Sequence, residues 1–186
     1  GGGARLPAGD GVRDVTFSYF TAGLGGSGAV NLLITNEGFG APVPRYRAGR
    51  PDVPTRDAGL GSRKVDFFVD EQDASFGEVG TRTVWAWPFP EAKTVGDALG
   101  ISGDSDALMG TAPEAWNVIL GAMVRVVPRE WWSDRRFSKA LADFSLPLVL
   151  AADTVVGETH AMRVDVTGES GARAVAVHHH DSFRTV

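Results

Sequence analysis

The sequence predicts an α+β domain: a mixed, mainly antiparallel sheet with helices packed on one face, and not a complete Rossmann domain. Three observations predict it. The elements run strand, helix, strands, helices and a closing pair of strands, without the regular alternation of a doubly wound sheet. Residues 159–166 and 173–180 alternate around a Thr167-Gly-Glu-Ser-Gly-Ala172 turn, the pattern of a β-hairpin. One strand, glycine loop and helix occur in succession, but a proline-rich stretch follows where a second parallel strand would be needed.

The elements follow in order. Residues 1–12 are glycine-rich and read as a flexible N-terminal segment, with residues 13–186 forming the single domain. The first strand covers residues 12–22, with Val15, Phe17 and Tyr19 pointing one way and Asp14, Thr16 and Ser18 the other. A turn over Gly23 to Gly28 leads to a helix carrying Ala29, Leu32 and Leu33, which ends near Gly38 and Gly40. Residues 41–62 hold four prolines and form a loop with one edge strand around Tyr46. Strands are expected over 63–69 and 81–87, the second stopped by Pro88-Phe-Pro-Glu91. A short helix spans 94–99. Thr111-Ala-Pro-Glu114 has the form of a capping box for a helix whose Trp116, Ile119, Leu120, Met123 and Val127 share a face. Pro128 ends it. Ser133 caps the next helix, where Phe137, Leu141, Phe144 and Leu148 share a face and Pro147 kinks or breaks the rod.

Composition excludes several functions. The net charge of −5 argues against a nucleic-acid binder, which needs a dense basic surface. The longest apolar run, residues 146–152, is interrupted by Pro147 and falls far short of the roughly 20 residues that span a bilayer. With no cysteine there is no disulfide, no thiolate metal site and no cysteine nucleophile, which fits a reducing, cytoplasmic setting.

Gly23, Gly25 and Gly28 fit G-x-G-x-x-G between a strand and a helix, where backbone amides can face a pyrophosphate. The acid expected about 20 residues on is represented only by Asp52, set between Arg50 and prolines. Three readings therefore stand: a structural turn, a loop that lets backbone approach a substrate, and a small nucleotide-binding enzyme using Gly23, Gly25 and Gly28.

The segment Asp14-Val-Thr-Phe-Ser-Tyr-Phe-Thr-Ala-Gly-Leu-Gly-Gly-Ser-Gly28 resembles the strand and glycine loop that open the second domain of saccharopine-dehydrogenase-like oxidoreductases. Tyr46-Arg-Ala-Gly49, Arg63-Lys-Val-Asp-Phe67 and Pro88-Phe-Pro-Glu91 are similar to the pieces that follow it. The run from Arg163-Val-Asp-Val-Thr-Gly168 to Val175-Ala-Val-His-His-His-Asp181 is similar to the late hairpin. The order of these short motifs matches over roughly residues 13–186. The resemblance implies a substrate-binding and dimerisation domain whose Rossmann partner, absent from this sequence, binds NAD(P). It implies no cofactor bound by this chain alone, no catalysis without the missing domain, a homodimer, and a small carboxylate or amino-acid-like substrate. Tyr19, Gly25 and Gly26 would face that substrate; Arg45, Arg47 and Arg63 read either as surface strand charges, the preferred role, or as its anion partners. The alternative is a stand-alone binding or interaction module without redox chemistry.

Other residue groups carry competing readings. His160 would lie opposite His179 in a symmetric hairpin, a pair of ligands where a metal site needs at least about three. Packing is the preferred role, and no metal is expected. Arg125, Arg129, Arg135 and Arg136 form either an anion clamp or helix-end caps. Trp85, Trp87, Trp131 and Trp132 read as core or interface aromatics.

Overall fold

The computed structural model describes residues 5–23, 28–41, 43, 45–49, 68, 70–157 and 159–180. The strands are β1 (Val12–Ala22), β2 (Tyr46–Arg47), β3 (Gln72–Ser75), β4 (Thr81–Ala86), β5 (Asp104–Ala112), β6 (His160–Gly168) and β7 (Arg173–His180). The helices are α1 (Gly28–Gly38), α2 (Glu91–Leu99), α3 (Glu114–Val126), α4 (Arg129–Trp132) and α5 (Arg135–Val156). The sheet order is β3-β4-β5-β1-β6-β7, with β2 on β5. Among the described strands only β1 and β5 run parallel, and every other pairing is antiparallel. The fold is α+β, as the sequence predicts.

Register assigns side chains to faces, because successive residues of a strand point to opposite sides. Tyr19, Met109 and Met162 stand in one row, and Phe20, Gly110 and Ala161 in the next, on the opposite face. Helix α2 covers the first face through Ala92 and Val95, packed with Val15, Phe17 and Ala107. At the other end of that face, Phe39 meets Trp87 and Trp132 edge-on, with ring centroids 5.8 and 5.1 Å apart. Each such contact adds roughly 0.5–1.5 kcal/mol beyond area burial. Helix α3 is tied to the same face: Thr111 Oγ1 donates to Asn117 Oδ1 (2.7 Å), and Asn117 Nδ2 donates to the Thr111 carbonyl (2.8 Å).

The opposite face is concave. Strands β3 and β6 are separated by β4, β5 and β1 in the sheet, yet Arg163 Nη1 of β6 donates to the Ser75 carbonyl of β3 (2.9 Å). Phe76, fully buried just beyond β3, lies 6.0 Å from the Phe20 ring. The sheet therefore rolls over Phe20, Phe76, Val84 and Leu108. Gly110 stands at the bend, where a Cβ would overlap the Thr83 carbonyl oxygen and reach Val84 Cγ1 at 3.3 Å. Absence of a side chain there lets β4 fold across β5.

Several expectations are corrected. Thr111 and Ala112 of the expected capping box instead end the central strand β5, and α3 begins after Pro113 without a side-chain cap. The buried side of α3 is Asn117, Gly121 and Val124, so Ile119 faces outward. Asp134, not Ser133, caps α5 by accepting from the Arg136 amide, and α5 runs unbroken through Pro147. Phe137 and Leu141 pack on the core, whereas Phe144 is 72% exposed. Asp10, assigned to the flexible N-terminal segment, is anchored: it accepts from the Ser170 amide (3.0 Å) and hydroxyl (2.7 Å) at the hairpin turn. The strand expected over 63–69 lies, except for Phe68, outside the described residues. No described helix is long and apolar enough to cross a membrane.

Candidate functional site

Parallel strands β1 and β5 end side by side at Ala22 and Ala112, and there the helix-covered face opens into a cavity of about 450 Å³. Its floor is apolar, formed by Trp87, Phe89, Met109 and Met162. Its polar groups come from β1, α1 and the hairpin: Tyr19 and Thr21, Asn31 and Thr35, and His160, His178 and His180. Tyr19 reaches it because alternation puts Phe17, Tyr19 and Thr21 on one side of β1. Cavities of roughly 300–1,000 Å³ with an apolar floor and a few convergent polar groups are the usual form of a small-molecule site.

Two hydrogen-bonded pairs organise the polar groups. The Tyr19 hydroxyl donates to Glu91 Oε1 (3.2 Å) in the first turn of α2, and the Tyr19 ring rests on Phe89, with centroids 4.5 Å apart. Burial pushes the Tyr19 phenol well above its ordinary pKa, and the Glu91 carboxylate adds to the shift. It is thus a neutral donor, not a phenolate nucleophile. Thr21 Oγ1 and His160 Nδ1 are 2.7 Å apart, and Thr21 Oγ1 also reaches the Gly23 carbonyl at 3.4 Å.

The hairpin fixes the histidines. Its loop is Glu169-Ser170-Gly171, with Gly171 left-handed at φ 85° and the Gly168 amide donating to the Ala172 carbonyl. A three-residue loop of this kind pairs His160 with His180 and Ala161 with His179. The symmetric turn assumed from the sequence is off by one residue, which corrects the His160–His179 pair: the two rings lie on opposite faces. His179 instead sits 3.7 Å from Glu78 on the concave side. Among the described residues no cluster of three or more histidine, aspartate or glutamate side chains is placed to hold a metal.

The other expected site residues divide. Gly23 lines the cavity and, with Gly28, is left-handed, at φ 66° and 71°. Gly25, Gly26 and Arg63 lie outside the described residues. Arg45 and Arg47 are elsewhere: β2 pairs with Ser105 and Asp104 at the far end of β5, about 20 Å from the cavity mouth at the usual rise per strand residue. Their charges are already matched. Arg45 Nη2 meets Asp70 at 2.5 Å and its Nη1 meets Asp106 at 3.2 Å, while Arg47 Nη2 meets Asp106 at 2.8 Å. They are therefore not free anion partners. The arginines near α4 also serve packing: Arg129 Nε donates to the Gly40 carbonyl (2.6 Å) and Arg125 to that of Phe68 (3.4 Å).

Sequence reasoning assigned no role to Thr21, His178 or His180. The signal was present for Thr21, which alternates with Tyr19 along β1. For the histidines it was hidden in the loop length. The glycine loop also lacks the setting of a dinucleotide cradle, because α1 leads to β2, antiparallel on β5, and not to a parallel strand beside β1.

A second cavity, of about 680 Å³, opens on the concave face between Arg82, Glu78, Glu114 and His179. Arg82 lies over the Phe20 ring (4.9 Å) and 3.9 Å from Glu114. Its charged groups face one another, which leaves the helix-side cavity as the better candidate. Compared with protein-family models and with curated proteins, the chain matches none.

Proposed function

We propose that this chain is the substrate-binding and dimerisation domain of a saccharopine-dehydrogenase-like NAD(P)-dependent oxidoreductase, working in the cytoplasm beside a Rossmann domain of the same polypeptide. The observation that carries the reading is the cavity at the carboxyl ends of β1 and β5, lined by Tyr19 and reaching Gly23, where the glycine loop leaves the sheet. Ligands of open sheets containing parallel strands characteristically sit at such ends.

In this reading the nucleotide, held by the other domain, supplies the hydride. This chain supplies binding and orientation. Trp87, Phe89, Met109 and Met162 exclude water from the substrate body. Tyr19, kept neutral, stays available to the substrate as a hydroxyl rather than a charge.

Titration of NADH and NADPH against the isolated chain tests the division of labour. Binding weaker than millimolar is expected. Micromolar binding lost in Gly25→Val would overturn the reading in favour of a nucleotide-binding loop. A coding sequence without an upstream G-x-G-x-x-G unit would favour a stand-alone binding module.

A further inference from the structure

We propose that the three histidines lining the helix-side cavity form a proton-linked anion subsite, so that the cavity takes an organic monocarboxylate with an aromatic or branched apolar body. The inference rests on reading that cavity as the ligand site, but not on any redox chemistry.

The three imidazoles converge because of register. His160 faces His180 across β6 and β7, and His178 is two residues along the same strand, hence on the same face. The rings of His178 and His180 are 4.3 Å apart. No lysine, arginine, aspartate or glutamate is among the described residues lining the cavity. The charge of the site is therefore set by its imidazoles, the side-chain type that takes up a proton most readily around neutral pH.

His178 and His180 are exposed at the cavity rim, where water can solvate a protonated ring. An imidazolium donates from both nitrogens. Thr21 Oγ1 can accept from His160 Nδ1 at 2.7 Å and turn its own proton toward the Gly23 carbonyl at 3.4 Å. Two carboxylates stand just behind the lining. Glu91 of α2 receives the Tyr19 hydroxyl, and Asp153 of α5 lies against Gly23, where a Cβ would overlap its carboxylate. Glu78 is paired with His179 on the other face. Arg82, at the same end of the sheet, lies on the concave face near Glu114, so among the described residues lining the helix-side cavity protonated histidine is the cation on offer. The floor of Trp87, Phe89, Met109 and Met162 selects the apolar body.

Phenylacetate and its neutral isostere phenylacetamide distinguish a charge-reading site from a merely apolar one. Calorimetric titration of the unmodified chain, near pH 8 and near pH 5.5, is the experiment. If one imidazolium is required, phenylacetate is expected to bind about 10-fold or more tightly near pH 5.5 than near pH 8. The amide is expected to show no such change. Repeating the titration near pH 7 in buffers of different ionisation heat is expected to show uptake of a fraction of a proton per phenylacetate bound. The double variant His178→Gln, His180→Gln is expected to lose most of the acid-dependent gain while still binding the amide; that binding also shows that it folds. Phenylacetate that fails to bind, binds independently of pH, binds no better than the amide at low pH, or keeps its full gain in the double variant overturns the proposal. So does stoichiometric zinc binding by the three histidines in place of carboxylate. Tight NADH binding by the chain would refute the two-domain reading above and leave this result standing, so the two failures are separable.

Discussion

Replacing Gly96 by alanine tests the packing of α2 with a change of sign. In an exposed helix interior, Gly→Ala gains about 1 kcal/mol from reduced backbone entropy. Gly96 lies in α2 directly over Tyr46, and a methyl group there would overlap Tyr46 Cγ, with Cβ at 2.7 Å and Cδ1 at 2.8 Å. Tyr46 cannot swing away cheaply. Its backbone is paired to β5, and its hydroxyl donates to the Ile101 carbonyl (3.1 Å). Overpacking of this kind costs about 1–3 kcal/mol, which exceeds the propensity gain, so Gly96→Ala is expected to destabilise by about 1 kcal/mol or more. Gly121 in α3 is the control. Its added methyl would meet Arg125 Nη1, the end of a flexible side chain, at 3.1 Å and Phe68 at 3.7 Å. Gly121→Ala is therefore expected to be neutral or to stabilise by up to about 1 kcal/mol. Urea unfolding reads both: with a slope of about 2 kcal/mol/M, Gly96→Ala lowers the midpoint by about 0.5 M, while Gly121→Ala leaves it unchanged or raises it by up to about 0.5 M. In a Tyr46→Ala background the Gly96→Ala penalty should vanish. Equal stability of Gly96→Ala and wild type, or a penalty that survives removal of Tyr46, would refute the close-packing argument.

Three further outcomes are expected. Arg45→Ala leaves the Asp70 and Asp106 carboxylates short of a buried partner and should cost about 3 kcal/mol in chemical denaturation, more than Arg47→Ala, whose second partner Asp104 is 43% exposed; equal losses would count against the network as drawn. The raised Tyr19 pKa makes the folded state hold its phenolic proton after the unfolded chain has begun to lose it near pH 10, so stability is fully present below that pH and falls above it. Tyr19→Phe should flatten the alkaline limb of a plot of urea midpoint against pH, and an unchanged limb would remove Tyr19 as its source. Gly110→Ala should destabilise by about 2 kcal/mol or more, because the atom met is the backbone oxygen of Thr83 and not a movable side chain; a wild-type thermal midpoint would show that the curl does not depend on that close approach.

The legible parts of the fold are those where local pattern and tertiary role agree. Strand β1 and the hairpin strands announce themselves through alternation around glycine-containing turns. Strand β5 does not, although it is the centre of the sheet. Its sequence Asp-Ser-Asp-Ala-Leu-Met-Gly-Thr-Ala has weak strand propensity. Asp104 and Asp106 are tolerated because Arg47 of β2 and Arg45 just before it neutralise them, and Gly110 because the curl needs it. All of these reasons are long-range, so no window along the chain contains them. Pro147 misled in the opposite way. A proline removes one helical hydrogen bond, yet α5 continues through it, with Ser145 donating its hydroxyl to the Ala142 carbonyl (3.3 Å) just upstream. The candidate site was legible on its β1 side, through Tyr19 and the glycine loop. Arg45 and Arg47 misled because a basic residue on a strand looks the same whether its charge meets a ligand or a neighbouring aspartate.

The parity of one loop separates the two ends of that lesson. Because Glu169-Ser170-Gly171 contains an odd number of residues, His160, His178 and His180 share the helix-covered face and His179 is sent to the concave one. An even loop would have put His160 level with His179, as the symmetric turn assumed, and would have divided the imidazoles differently between the cavities. Phe20 lines both cavities, so the sheet is one side chain thick between them. On one side the charges already face charged partners: Arg82 lies near Glu114, and His179 near Glu78. On the other the polar groups are hydroxyls, amides and imidazoles over an apolar floor. A ligand entering the first meets side chains already facing charged partners, whereas one entering the second meets hydrogen-bonding groups set over an apolar floor. This asymmetry, more than the size of either cavity, is the physical ground for placing the site beside Tyr19.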